Sequence, residues 1–134
     1  MKIRNATFGI MLGSVIFLVC CKKSETTPPV VSCSTALPDS ISFRRDVLPI
    51  LAKCSLPGCH SGSNPDGNLN LEAATAFSQL RQPGSGYLNA LKPESSVLYI
   101  TLTNSSRPMP PTGQLPSCDI AILRKWMVQG SMDN

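Results

Sequence analysis

From Phe43 onward, apolar residues recur at helical intervals. Phe43, Val47, Ile50, Leu51 and Cys54 fall at i, i+4, i+7, i+8 and i+11, one stripe of a helix over residues 43–54. Ser42 stands where an N-cap would, and Asp46 sits early, where the helix dipole favours an acid. Pro49 lies inside the stripe and predicts either a kink or a late helix start. Leu71, Ala74, Phe77 and Leu80 form a second helical face over residues 71–81. The segment from Val97 to Leu102 is ambiguous. Its Val, Tyr, Ile and Thr content favours a strand, while Ser95 offers an entry to a helix. The last helix is the clearest: Ile120, Leu123, Trp126 and Met127 share one face, Ser117 is its expected cap, Asp119 lies in its first turn, and Gly130 suits its C′ position. Breaks fall at Leu56-Pro57-Gly58, in the Gly/Asn loop 61–68, at 82–86, and in a Pro-rich loop, 104–116.

The pattern before this body is different. Lys2 and Arg4 precede a nearly unbroken apolar run from Ala6 to Val19, closed by Cys20-Cys21-Lys22-Lys23. That is the charged and apolar layout of a secretory signal, and its ending resembles a bacterial lipobox. With Cys21 as the lipidated residue, Leu18 takes the −3 position and the small Cys20 the −1 position. The other reading is an uncleaved anchor helix. On either reading the protein leaves the cytosol and stays at a membrane. Residues 24–38, SETTPPVVSCSTALP, show no period of 2 or 3.6 and read as an extended tether. The expected organisation is a signal over 1–20, a tether over 21–38 and one folded domain over 39–134. The expected location is the periplasmic or cell-surface face of a bacterial membrane, held by the lipid anchor.

Composition narrows the function classes. Only 15% of the 134 residues are charged, aromatics make up 5%, and 12 residues are Pro. The formal net charge is +4, and loss of Lys2 and Arg4 with the signal would leave +2. No basic stripe is present, so nucleic acid is not an expected partner. The small body is near the size at which an apolar core alone is marginal, and such domains often add disulfides, metals or cofactors. Six Cys in the chain point the same way.

The informative constellation is Cys54-Ser-Leu-Pro-Gly-Cys59-His60. Two Cys with His directly after the second is the residue set for covalent haem attachment: the thiols add to the haem vinyls, and the His reaches the iron. The usual spacing is C-x-x-C-H, whereas four residues separate the Cys here. The extra residues can be looped out if both sulfurs still reach their vinyls, and Pro57-Gly58 favours such a turn. His60 is the only His in the chain, so a sixth ligand from the same chain cannot be a second His. Met109, in Arg107-Pro-Met-Pro-Pro, lies about 49 residues further on and carries a soft thioether, which raises the potential of a His-ligated haem.

Together these residues resemble a family. Phe43-Arg-Arg-Asp-Val-Leu-Pro-Ile-Leu, Cys59-His60 with the following loop and Leu69-Asn-Leu71, Pro93-Glu-Ser-Ser-Val-Leu-Tyr, and Met109-Pro-Pro with the segment Ile122 to Gly130 are similar to the small c-type cytochrome domains of surface and periplasmic proteins in Planctomycetes and Bacteroidetes. The blocks span about residues 42–131. The resemblance implies an all-α fold around one haem c, with the terminal helices packed near it, and so a helix rather than a strand over 97–102. It implies thioethers at Cys54 and Cys59, with His60 as proximal and Met109 as distal ligand. It also implies electron transfer with a redox partner protein rather than enzymatic turnover. Phe43 and Trp126 are core residues by default, and the family places such aromatics near the haem edge. The wide spacing between the Cys departs from the family pattern and puts one of the two thioethers in question.

Other readings of the same residues stay open. Cys54 and Cys59 can pair as a small disulfide in a haem-free surface lipoprotein of binding or structural role. With His60 and a fourth ligand from Cys33 or Cys118 they can hold zinc. A haem site with an open sixth position would make a sensor or peroxidase-like domain. Cys33 and Cys118 are expected to form a structural disulfide. With that pair, six Cys divide into one anchor, one lost with the signal, two haem thioethers and one bridge, leaving no free thiol. No Ser/His/Asp set can be assembled, because the only His is already used.

Overall fold

Residues 33–134 are described by a computed structural model. The expected signal 1–20, the lipidation site Cys21 and the first part of the tether lie outside the described residues. Among the described residues there is no strand, and 38% are helical. No helix among them is long and apolar enough to cross a membrane. The fold is a small helical one with much of its chain in turns.

The first helical element begins with a π-helical turn, Phe43–Val47, and continues as α1, Leu48–Leu51. Ser42 and Asp46 cap it reciprocally: Ser42 Oγ accepts from the Arg45 N–H, and the Asp46 carboxylate accepts from the Ser42 N–H at 2.8 Å. Asn134 takes further donors of this turn, accepting from the N–H groups of Phe43 and Arg44. Pro49 falls in the first turn of α1, where its missing N–H costs nothing, so it marks the change from π to α winding rather than a break. The expected stripe is buried throughout, from Phe43 to Cys54.

The Asp46 cap carries a pH signature. The hydrogen bond from the Arg45 side chain, then that from the Ser42 backbone, holds its carboxyl below the usual range. A depressed folded-state pKa contributes stability above the unfolded carboxylate pKa and loses it as the pH falls through the folded value. In Asp46→Asn, the stability measured by denaturant titration at neutral pH should fall modestly, and its acid-side decline should become shallower.

The second expected helix is shorter than its period suggested. Only Ala76–Leu80, α2, is α-helical. Asn70 diverts the preceding residues, because its Oδ1 accepts from the Glu72 N–H at 2.8 Å and from Thr75 Oγ1 at 2.9 Å. Such a local side-chain turn competes with helix formation. Leu71 is drawn the other way, donating its N–H to the His60 carbonyl at 2.8 Å.

A 3-10 turn, Pro93–Ser95, leads into α3, Val97–Thr103. Strand propensity loses here to tertiary context. Leu98, Tyr99 and Leu102 are buried on one helical face, while Val97 and Ile100 face outward. The first N–H groups of α3 are taken by the carbonyls of Gly86 and Tyr87, at 2.9 and 3.2 Å.

The longest helix is α4, Ser117–Val128. Ser117 is not its cap; it is the first helical residue, and Pro116 precedes it with no side-chain cap. The fixed φ of proline, here −52°, suits it to lead directly into a helix. At the other end Gly130 takes φ +94°, its N–H bonds to the Met127 carbonyl, and the Ser131 N–H bonds to the Trp126 carbonyl. That pair of bonds is a Schellman closure.

Trp126 anchors the core. Its ring lies 5.3 Å from that of Phe43, which meets Phe77 edge-on at 5.2 Å, and its indole N–H donates to the Met132 carbonyl. The segment ahead of the first helix runs along α4. Cys33 is disulfide-bonded to Cys118 at the start of α4. Lys125 donates to the Pro38 carbonyl about two turns further on, and Gln129 bonds to Asp39 and Ile41 near its end. Lys53 and Asp119, paired at 2.5 Å, join the end of the first helical element to α4.

Candidate functional site

The site is built on the chain between Cys54 and Leu71. After α1 the chain turns through Cys54, whose N–H bonds to the Leu51 carbonyl at 2.9 Å. The next four residues are looped out. The Cys59 N–H returns to the Leu56 carbonyl at 2.9 Å, with Pro57 and Gly58 between them and Gly58 at φ +77°. Proline at the second and a left-handed glycine at the third position is the signature of a type II turn. The His60 N–H then bonds back to the Cys54 carbonyl at 3.2 Å, closing the bulge. The extra length between the Cys is thus absorbed in one turn, with Leu56 exposed on its outside.

The loop after His60 wraps its imidazole. Nδ1 lies 3.1 Å from the Asp66 carbonyl oxygen and 3.2 Å from that of Leu69. Carbonyl oxygens only accept, so the proton belongs on Nδ1 and the lone pair on Nε2. That is the tautomer a metal-ligating His adopts when its other nitrogen is held by backbone carbonyls. The carbonyls come from the first residue of a short 3-10 turn, Asp66–Asn68, and from Leu69 just after it. Gly67 and Asn68 are both left-handed there, at φ +61° and +55°. Glycine adopts this region freely and Asn tolerates it better than most residues.

His60 lines a cleft of about 200 Å³. Cys54 and Met109 line the same cleft. Most of the remaining wall is hydrocarbon, from Leu51, Leu69, Leu71, Leu98, Leu102 and Leu115. The helical turns before Cys54, the His60 loop, α3 and the Pro-rich loop with Met109 all contribute. Three of the four residues singled out in the sequence for cofactor binding therefore share one cavity. Cys59 does not line it, and is half-buried beside it in the chain.

Both thiols of the Cys54/Cys59 pair are free. Burial first, then the neighbouring Cys59, pushes the Cys54 thiol above its ordinary pKa, which keeps it a neutral S–H. The alternative small disulfide between them is not formed. The zinc reading loses its fourth ligand, since Cys33 and Cys118 are bonded to each other. Among the described residues no three His, Cys, Asp or Glu side chains converge as a metal-ion cage. Phe43 and Trp126 are core residues and do not line the cleft.

Two parts of the site were not read in the sequence. One is the pair of carbonyls on His60, signalled only by the turn residues Pro65-Asp-Gly-Asn. The other is Tyr87, whose ring lines the cleft and whose hydroxyl donates to the Gly67 carbonyl at 3.2 Å. No protein-family model matches the chain, and no curated protein or solved structure matches it.

Proposed function

We propose that the protein is a lipid-anchored monohaem c-type cytochrome that carries electrons to or from a redox partner protein at the periplasmic or cell-surface face of a bacterial membrane. The observation that carries this reading is one cavity lined by Cys54, His60 and Met109, with the His60 tautomer set by two backbone carbonyls. The residues fit the group. A thiol, an imidazole with its lone pair on Nε2 and a thioether stand in an otherwise largely apolar cleft. Cys54 and Cys59 would hold haem c as thioethers, each S–H adding across a vinyl C=C so that sulfur bonds one carbon and hydrogen the other. His60 and Met109 would be the axial ligands. Haem bound there supplies a one-electron iron couple, and the wall of leucines, by excluding water, raises its potential along with the thioether ligand. The chain's own work is to hold, orient and insulate, so turnover of a substrate is not proposed. Cys21 would carry the lipid, and the bridge from Cys33 to Cys118 would fix where the tether leaves the domain.

The test is a pyridine haemochrome spectrum with intact mass, on protein made in a host that attaches haem covalently. The expected result is a mass one haem above that of the polypeptide and the absorption of a haem with both vinyls saturated. A band displaced to the red would show that one of the Cys is unused. Absence of haem would overturn the reading and leave a lipoprotein stapled by the Cys33–Cys118 bridge.

A further inference from the structure

We infer that Tyr87 is a positioning residue: its hydroxyl holds the turn that decides which nitrogen of His60 keeps its lone pair. The inference rests on the reading of His60 as an iron ligand. The turn Asp66–Asn68 has two consecutive left-handed residues, Gly67 and Asn68. Glycine takes this conformation freely, so the cost lies at Asn68, which its surroundings must hold there. Within the loop the turn is held by the Asp66 N–H on the Cys59 carbonyl at 2.8 Å and the Asn68 N–H on the Pro65 carbonyl at 3.0 Å. From outside it is held by Tyr87, through the hydrogen bond to the Gly67 carbonyl. That carbonyl belongs to one of the two residues between those that grip His60, with Asp66 one position before it and Leu69 two after.

Tyr87 is itself fixed. Its N–H donates to Ser85 Oγ at 3.2 Å, and its carbonyl accepts from the Leu98 N–H in the first turn of α3. The hydroxyl therefore ties the His60 loop to α3 across the cleft that both line. A second-layer hydrogen bond of this kind fixes the tautomer of a ligating His and raises its basicity.

Tyr87→Phe removes the hydroxyl and keeps the ring in the cleft wall. In the full chain made without haem, nitrogen-detected NMR of His60 should show a dominant Nδ1–H tautomer. In Tyr87→Phe the minor Nε2–H population should rise several-fold, while the dispersion of the amide spectrum is retained. In the haem-loaded protein the same variant should raise the midpoint potential, because a less basic imidazole stabilises the oxidised iron less. Gly67→Ala is the second variant. An added Cβ meets no atom within 4 Å, so it acts only on the left-handed backbone, and it should move the tautomer ratio in the same direction. An unchanged ratio in both variants overturns the inference and leaves Tyr87 as wall. The haem-free readout separates this failure from the other: if the wild type takes up no haem, the haem reading fails while a responsive tautomer still assigns Tyr87 its role.

Discussion

The double variant Cys33→Ser/Cys118→Ser is expected to lose roughly 2–5 kcal/mol of unfolding free energy, the usual range for removing a native bridge from a small domain. The bridge spans 85 residues of sequence. A cross-link over so long a loop removes much conformational freedom from the unfolded chain, about 4–5 kcal/mol in the chain-entropy treatment. The native side contributes as well, since the bridge starts the run of contacts by which residues 33–41 lie along α4. Urea titration of wild type and variant should show a lower midpoint with a steeper slope, because the uncross-linked unfolded chain exposes more surface. An unchanged midpoint would mean that the bridge is not formed in the folded protein. Reduction of the wild type with dithiothreitol should reproduce the variant.

Met109→Ala is expected to lower the midpoint potential of the haem-loaded protein by at least about 60 mV, a tenfold change in a one-electron equilibrium constant. Met109 is half-buried against the core and lines the cleft with Cys54 and His60. Loss of its thioether would remove the soft ligand that favours reduced iron, and added imidazole should bind where it did not before. The readouts are a redox titration and an absorption titration with imidazole. In the haem-free protein the substitution should cost below about 2 kcal/mol, since the side chain is only partly buried. Unchanged potential and unchanged imidazole binding would remove Met109 from the ligand set and leave an open sixth position, as a sensor or peroxidase-like site would have.

Much of the helical framework was legible as period. The stripe from Phe43 to Cys54 and the face Ile120, Leu123, Trp126, Met127 are buried as their spacing predicts. Gly130 is the C′ residue, because few other residues accept φ +94° at low cost. Errors arose where side chains compete with the backbone. Asn70 shortened the second helix by capturing Glu72 and Thr75, and Pro116 displaced Ser117 from the capping position. The strand-like segment at Val97 is a helix because its buried positions follow a 3.6-residue period against the core and loop carbonyls accept its first N–H groups.

For the site, the sequence alone determined the chemistry on offer: the Cys54/Cys59 pair, one imidazole, a thioether between prolines, and a Pro-Gly turn able to absorb the long spacing. These are properties of residue type and local order, which need no neighbours to be read. It took packing in three dimensions to bring Cys54, His60 and Met109 into one cavity, to leave Cys59 outside its lining, to join Cys33 to Cys118, and to set the Asp66 and Leu69 carbonyls on one imidazole with the Tyr87 hydroxyl on the Gly67 carbonyl. Those are contacts between positions up to 85 residues apart. Their geometry follows from how the helices pack and which carbonyls their loops leave free, and no short-range pattern encodes that.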